Sequence, residues 1–357
     1  MSHAHRARRP AGLLAGVLLL VGTAAACGDP GSDAVAGSGS GSGKSSASSD
    51  AFPVTIKHKF GSTTIKSEPQ RIVTIGLTDQ DAVLALGKVP VATTNWLGDY
   101  KGAIGPWAQD KLGSSAVPTV LKDTGTGPQI EKIAALKPDL IIALYSALTK
   151  AQYQTLSKFA PVVAQPKEYN DYGIPWQQQT ETIGKALGKA DEAKKLVDGV
   201  EAKFTAAKAK YPAFAQSTAV MATPYEGIFV YGSQDPRSRL LSDLGFALPS
   251  GLDKVIGDSF GANISSERTD LLDQNAAVWI VPDTTTAVTK LHANKLYGDL
   301  NVVKQGREVF IVETSDYGNA VSLSTVLSIP YVLDRLVPQL AAAVDGKTAT
   351  KVEQPAS

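Results

Sequence analysis

The residues that could carry chemistry are few in this chain, and their spacing argues against catalysis. Cysteine occurs once, at Cys27, and beyond residue 50 the histidines are His58 and His292. No His-Glu-x-x-His or Cys-x-x-Cys motif is present. A directly bound transition metal usually needs more imidazole or thiolate ligands. We therefore expect neither an enzyme nor a metal held by protein side chains.

A second group of residues suits binding. Aromatic and guanidinium side chains follow predicted strands or begin predicted helices, where ligands of open α/β sheets bind. The candidate ligand-binding residues are Trp96, Tyr100, Tyr145, Trp176, Tyr231, Arg237, Arg239 and Tyr317. Tyr169, Tyr172 and Tyr225 lie in the same regions. A single aromatic residue more often packs in a core, but as a group these suit a bulky, partly apolar ligand with polar edges.

The elements that must position these residues alternate between strands and helices. RIVTIGL (71–77) predicts a strand, and the helical pattern after it has Thr78 as its expected N-cap. PQIEKIAALKPDLIIALY (128–145) predicts a short helix and then a buried strand. Short crossovers between strands favour a mainly parallel sheet, which places the chain in the α/β class.

The second half repeats this pattern after one long helix. The helix is expected over 189–211, with Ala193, Leu196, Val197, Val200 and Phe204 facing inward. ISSERTDLLDQN (264–275) predicts a helix before a buried strand, as EKIAALKPDLII (131–142) does in the first half. The last helix is expected to bend or break near Pro330 and Pro338. Two Rossmann-like lobes joined by one backbone helix would leave a ligand cleft between their strand ends.

The start of the chain predicts export and a lipid anchor. Arg6, Arg8 and Arg9 precede an apolar run that is too short for a typical membrane span and ends in Ala24-Ala25-Ala26. This resembles a bacterial lipoprotein signal, in which the cysteine, here Cys27, becomes the lipidated first residue. The expected organisation is a signal peptide (1–26), a lipidated Gly/Ser tether (27–50), an N-terminal lobe (51–188), a backbone helix (189–211), a C-terminal lobe (212–346) and a polar tail (347–357).

Several stretches in this order resemble the iron-siderophore substrate-binding lipoproteins of ABC importers. They include PQRIVTIGLTDQDAVLALGKVPVATT, GPQIEKIAALKPDLIIAL, VYGSQDPRSRLLSDLGF and ISSERTDLLDQNAAVWIV. The resemblance implies capture of an Fe(III)-siderophore without a cofactor, the iron being held by siderophore oxygens. It also implies a monomer that is lipid-anchored at the outer face of the cytoplasmic membrane and delivers its ligand to an ABC permease dimer.

Three residues carry over from this family by position. Glu131 and Glu267 match one glutamate on each lobe that pairs with arginines of the permease. A favourable acid in the first turn of a helix is the alternative role for each. Arg237 matches a ligand-binding arginine of catecholate-binding relatives. Other arginines of those relatives have no counterpart here, since Tyr145 and Ser146 end the PDLII strand, and this favours a hydroxamate or mixed-ligand siderophore.

Other functions stay open on the sequence alone. The same fold could bind cobalamin or haem, or serve as an envelope interaction protein without a transport ligand. A secreted enzyme of the α/β class would need a nucleophile–base pair that the chain hardly provides. Nucleic acid is not an expected partner, because the net charge of the chain is only +1.

Overall fold

The first lobe is built on a five-stranded parallel sheet. A computed structural model describes residues 51–122, 127–347 and 349–354. The lobe begins with an antiparallel hairpin of β1 (Val54–His58) and β2 (Gly61–Ile65). The strands of the five-stranded sheet are β3 (Ile72–Thr74), β4 (Ala92–Asn95), β5 (Thr119–Lys122), β6 (Leu140–Ala143) and β7 (Val162–Ala164). The sheet order is β5-β4-β3-β6-β7, with every pairing parallel. All carboxyl ends of these strands therefore lie at one edge.

The second lobe carries a mixed five-stranded sheet. Its strands are β8 (Ala219–Thr223), β9 (Phe229–Tyr231), β10 (Gly261–Asn263), β11 (Ala276–Val281) and β12 (Glu308–Val312), in the order β10-β9-β8-β11-β12. β8, β11 and β12 are parallel, and β9 and β10 add antiparallel pairings. The predicted α/β class with two lobes is confirmed. The first sheet is wholly parallel, as expected, whereas two of the four pairings of the second sheet are antiparallel.

The helices fill the segments between strands and cover the sheets. They are α1 (Asp79–Ala85), α2 (Ile130–Ala135), α3 (Lys150–Leu156), α4 (Trp176–Ala186), α5 (Ala190–Lys210), α6 (Pro236–Asp243), α7 (Leu252–Ile256), α8 (Thr286–Ala293), α9 (Lys295–Gly298), α10 (Asn301–Lys304), α11 (Asp316–Leu323) and α12 (Ser328–Ala343). Within the described part of the chain, no single helix is long and apolar enough to cross a membrane; α11 and α12 meet that measure only as a pair bent by 113°.

The long helix α5 is the predicted backbone helix, and its apolar stripe explains its position. Ala193, Val197, Val200 and Phe204 are buried at helical spacing, whereas Leu196 is half-buried. Just before α5, Gly188 takes a left-handed conformation (φ 68°), which stops α4 and lets the chain reverse. This helix joins the two lobes.

Two predicted helices differ from the structure. The C-terminal break lies at Ser324, which is left-handed (φ 46°), and not at the prolines. There Thr325 and Ser328 exchange hydrogen bonds between backbone N–H and hydroxyl (2.8 and 3.0 Å) and start a new helix. Pro330 falls in the first turn of α12, where no N–H is needed, and the helix continues past Pro338. The helix predicted within 264–275 is a short 3-10 helix, Ser266–Leu272.

The predicted signal peptide, Cys27 and the tether lie outside the described residues. Part of the predicted polar tail is described, and it packs on the second lobe. The side chain of Gln354 accepts a hydrogen bond from the N–H of Phe310 (2.7 Å) and donates one to the carbonyl of Glu308 (2.9 Å). The tail is therefore held against the edge strand β12.

Candidate functional site

A cavity of about 460 Å³ lies between the two lobes. Both lobes contribute to its wall, mainly from segments that follow strands. The lining residues are Leu77, Trp96, Tyr145, Tyr172, Thr223, Tyr225, Phe229, Tyr231, Arg237, Phe260 and Glu313. Most of these side chains are aromatic, so the wall offers ring faces and hydroxyl groups to a ligand of moderate size.

A buried carboxylate positions the first-lobe wall. Asp79, at the start of α1, accepts hydrogen bonds from the backbone N–H groups of Leu144 (2.8 Å) and Tyr145 (3.1 Å), just beyond β6. Gln179 of α4 donates a further bond to Asp79 (2.7 Å) and one to the hydroxyl of Thr78 (2.8 Å). Burial raises the pKa of Asp79, and these hydrogen bonds oppose the rise. The network fixes the backbone that presents Tyr145.

Thr78 is the N-cap residue of α1, as predicted, but its side chain makes no capping hydrogen bond to the helix. Its hydroxyl accepts from Gln179 instead, so it joins α1 to α4.

The ring of Tyr145 contacts two other first-lobe rings at the cavity. Tyr145 lies with its ring centroid 6.1 Å from that of Trp96 and 5.4 Å from that of Tyr172. Burial raises the pKa of Tyr145, so its hydroxyl stays protonated and can donate to a ligand oxygen.

The second-lobe wall comes from β9 and the loop before β10. Phe229 and Tyr231 are two residues apart and face the same side of β9, with ring centroids 5.4 Å apart. Phe260 lies 5.8 Å from Phe229. Tyr225 and Phe260 are 60% and 41% exposed, which is unusual for rings of this size and marks them as the open rim of the cavity.

A buried ion pair forms the polar part of the wall. Arg237, near the start of α6, donates from Nε (2.8 Å) and Nη2 (2.7 Å) to the two carboxylate oxygens of Asp235. The guanidinium lies over the ring of Tyr231, 4.0 Å from its centroid. Burial alone would lower the pKa of Arg237, but the charge and hydrogen bonds of Asp235 outweigh burial and raise it. The arginine is therefore fixed in place and permanently charged.

The structure brings together four of the eight predicted ligand-binding residues. Trp96, Tyr145, Tyr231 and Arg237 line the cavity. Sequence reasoning missed Phe229 and Phe260 among others. The alternation of Phe229 with Tyr231 in GIFVYG was a usable signal for the first, whereas Phe260 lies in a loop without a pattern.

The other four predicted residues lie elsewhere. Trp176 is buried in α4, where it stacks on Phe204 and donates to Asp243 (3.4 Å). Tyr317 is buried in α11 and donates to Gln339 of α12 (2.9 Å). Both belong to the core. The expectation that they face the cleft is wrong, because each points into a helix–helix contact.

Arg239 and Tyr100 connect the lobes instead of lining the cavity. Arg239 of α6 donates to the carbonyl of Gly173 in the first lobe (2.8 Å). The hydroxyl of Tyr100, beyond β4, donates to Asp316 (2.8 Å) and accepts from Asn319 (2.8 Å), both on α11. The two lobes are therefore connected by hydrogen bonds at two separate places in the chain.

A further tie is buried. The Oδ2 atom of Asp81 in α1 accepts hydrogen bonds from Nε1 of Trp107 (2.8 Å) and from the hydroxyl of Thr325, at the start of the C-terminal helix. Burial raises the pKa of Asp81 to about 6, although both hydrogen bonds lower it. Its Oδ1 has no partner within the described residues.

The two predicted docking glutamates are both exposed. Glu131 lies in the first turn of α2, and Glu267 lies in the first turn of the 3-10 helix Ser266–Leu272. Neither forms an ion pair with another described residue. Both carboxylates therefore face solvent without an ion-pair partner among the described residues.

No group of three or more His, Cys, Asp or Glu side chains that could hold a metal ion occurs among the described residues. His58 bonds to Thr63 (3.0 Å) on β2, and His292 bonds to the buried Glu308 (3.0 Å). Both histidines therefore have structural partners away from the cavity.

Known proteins resemble the chain over most of its length. The putative ABC transporter substrate-binding lipoprotein YhfQ of Bacillus subtilis is 27% identical over 312 residues, covering 83% of this chain and 85% of the relative. A periplasmic solute-binding protein of Mycobacterium smegmatis superposes with a TM-score of 0.71 at 33% identity, covering 82% of this chain and 98% of that one. Streptococcus pneumoniae PiaA in complex with ferrichrome superposes with a TM-score of 0.70 at 28% identity, covering 82% and 99%.

Family membership is shown by a match to a sequence model of a protein family. The model described as "Periplasmic binding protein" matches residues 72–313, which include both sheets and every residue of the cavity wall. With the two α/β lobes, the joining helix α5 and the cavity between the lobes, this match shows that the chain belongs to the periplasmic binding protein family.

Proposed function

We propose that the protein captures an Fe(III)-siderophore outside the cytoplasmic membrane and delivers it to the permease of an ABC importer. The observation that carries the proposal is the cavity between the lobes, with seven aromatic rings and one arginine on its wall. Ring faces cover the apolar periphery of a chelate, while tyrosine hydroxyls and the guanidinium of Arg237 donate to its oxygens. The relative that was solved with ferrichrome supports this ligand class.

The task is capture rather than chemistry. The cavity wall holds no histidine or cysteine, and its carboxylate, Glu313, has no base or nucleophile beside it among the lining residues. The siderophore supplies the iron ligands, so the protein needs no cofactor of its own. Ties through Tyr100, Arg239 and Asp81 limit lobe motion, which favours a largely preformed cavity.

A fluorescence titration of the purified protein tests the proposal. Trp96 lies on the cavity wall, whereas Trp107, Trp176 and Trp279 do not. A ferric siderophore should quench the emission saturably, and the iron-free siderophore should not. Trp96→Phe should remove most of the quenching while Trp107→Phe keeps it. Saturable quenching by cobalamin or haemin alone would replace the siderophore with those ligands, and no response to any of them would end the proposal.

Delivery requires a partner and an anchor, which we assign to three residues. Glu131 and Glu267 would pair with basic residues of a permease dimer, one from each lobe. Cys27 would carry lipid and hold a monomeric protein at the membrane. Cys27→Ala should move the protein from the membrane fraction to the soluble fraction of cells. A variant that stays membrane-bound would contradict the lipid anchor.

A further inference from the structure

The charge of the cavity wall limits the kind of chelate it can hold. Among the lining residues, Arg237 and Glu313 are the charged ones; the others are aromatic or otherwise neutral. Arg237 is the cation that an anionic ligand would need. Its environment therefore decides which ligand charge the cavity accepts.

Asp235 already neutralises Arg237. The two side chains form a two-point ion pair at 2.8 and 2.7 Å, and the residues are only 1% and 9% exposed. Water cannot replace either partner, and the backbone N–H of Arg237 also donates to Asp235 (2.8 Å), because Asp235 is the N-cap of α6. The carboxylate is thus built into the fold and cannot swing away when a ligand arrives.

Arg237 can still donate a hydrogen bond to a ligand, but Asp235 cancels its charge. Its Nη1 makes no hydrogen bond within the described residues and can donate to one ligand oxygen. The pair itself sums to zero, and Glu313 adds a negative charge at the exposed side of the wall. The cavity is therefore neutral to negative.

Neighbouring cations do not reverse this balance. Arg239 donates a hydrogen bond to the carbonyl of Gly173. It also interacts electrostatically with Asp235 and Asp243, so these carboxylates offset its positive charge. Lys122 lines a separate, adjoining cavity of about 280 Å³ at the edge strand β5. Neither lies on the wall of the cavity between the lobes.

Ferric siderophores differ in charge according to their iron-binding groups. Three singly charged hydroxamates balance Fe(III) and give a neutral complex, whereas three doubly charged catecholates give a trianion. A trianion that enters an aromatic cavity loses its hydration, which is unfavourable. Without an unpaired cation on the wall, little electrostatic attraction compensates for that loss. A neutral or cationic complex avoids that cost, and a cation also gains from the ring faces.

We infer, on the basis of the proposed function, that the ligand is a neutral or cationic ferric tris-hydroxamate, and that Asp235 is the residue that excludes anionic chelates. Asp235 acts by positioning and neutralising Arg237 and does not itself line the cavity. The preference for ligand charge can be tested separately from the binding of ferric siderophores in general.

The test compares ferric chelates of matched size and different charge by fluorescence titration of the whole protein. Ferrichrome serves as the neutral probe, ferrioxamine B as the cationic one and ferric enterobactin as the trianion. We expect ferrichrome or ferrioxamine B to bind about a hundredfold more tightly than enterobactin. Binding of the neutral ferrichrome should change little with added salt.

Asp235→Asn then isolates the cause. Asparagine keeps an oxygen for the N-cap of α6 but removes the charge, which frees Arg237 for an anion. The ratio of enterobactin affinity to ferrichrome affinity should rise at least about tenfold. Asp273→Asn is the control, since this carboxylate accepts hydrogen bonds from Asn301 and Val302 away from the cavity, and it should leave the ratio as in the parent protein. Glu313→Gln, at an exposed position, should raise the ratio in the same direction if Asp235→Asn does not fold.

The outcomes separate the two claims. Wild-type protein that binds enterobactin as tightly as ferrichrome overturns the charge inference and keeps the proposed function. An unchanged ratio in both Asp235→Asn and Glu313→Gln also overturns it. Failure of every ferric chelate to bind overturns the proposed function itself.

Discussion

The hydroxyl of Tyr100 lies 2.8 Å from a carboxylate oxygen of Asp316 and joins the first lobe to the second. Asn319 donates to the same hydroxyl, so the phenol is held by two partners on α11. Burial, followed by the bond to Asp316, raises the pKa of Tyr100 to about 12, and the hydroxyl therefore remains a donor at neutral pH.

Removing this hydroxyl should weaken the joint without changing the fold. We expect Tyr100→Phe to lower the free energy of unfolding by about 1 to 2 kcal/mol, because the hydrogen bonds to Asp316 and from Asn319 are both lost. Urea denaturation followed by circular dichroism measures the change. Tyr211→Phe is the control, since that hydroxyl makes no hydrogen bond within the described residues and its removal should cost far less. Equal losses in the two variants would show that the bond does not stabilise the joint.

The exposed ring of Phe260 should contribute directly to binding. Phe260→Ala removes part of the rim, and we expect the affinity for a ferric siderophore to fall about tenfold, since a ring contact of this kind is worth roughly 1 kcal/mol or more. Phe159→Ala is a matched control, because Phe159 is similarly exposed (37% against 41%) but does not line the cavity. Phe159→Ala should bind normally; a Phe260→Ala protein with unchanged affinity would remove this ring from the site.

The two exposed glutamates should matter for delivery and not for capture. A Glu131→Ala, Glu267→Ala double variant is expected to abolish uptake of iron from the siderophore in cells while the purified protein binds as before. Both positions lie outside the cavity wall. The control is Glu181→Ala with Glu201→Ala, two exposed glutamates on α4 and α5, which should support normal uptake. Normal uptake by the first variant would exclude these residues as docking points.

The buried carboxylate of Asp81 should make stability depend on pH. Its pKa is raised from 3.8 to about 6 by burial, so the folded state holds this proton more tightly than the unfolded state. Its contribution to stability is therefore fully present below about pH 4 and is lost as the pH rises through 6, by up to about 3 kcal/mol. Asp81→Asn removes the titration.

The measurement is urea denaturation of both proteins between pH 4 and pH 7. The stability difference between wild type and Asp81→Asn should change with pH in that window and become constant above it. Asp79 and Asp243 also have raised pKa values, but they are present in both proteins and cancel in the difference. A constant difference for Asp81→Asn would contradict the raised pKa.

Local patterns predicted the elements better than they predicted the site. Apolar runs and Gly stops located the strands and α5, because burial on both faces leaves a clear trace in sequence. Tyr145, which the structure places on the cavity wall, follows such a run directly. Trp176 and Tyr317 were assigned to the site in error, since nothing in the sequence tells which way a ring on a helix points.

Contacts between distant segments left no trace that one sequence can show. Asp79 looks like an ordinary acid in a first helical turn, yet it holds the backbone of Leu144 and Tyr145. The pairing of Asp235 with Arg237 was within reach, because the residues are two apart. Its importance depends on burial, which only the packed structure supplies.

The two lobes bring unlike surfaces to the cavity, and this has a stereochemical consequence. The parallel strand ends of the first lobe supply Trp96 and Tyr145, whereas the antiparallel strand β9 supplies Phe229 and Tyr231 with the ion pair beside them. A six-coordinate ferric chelate is a propeller with a left-handed and a right-handed form. A wall without mirror symmetry contacts the two forms differently, so the two forms of the proposed ferric ligand should bind with unequal affinity.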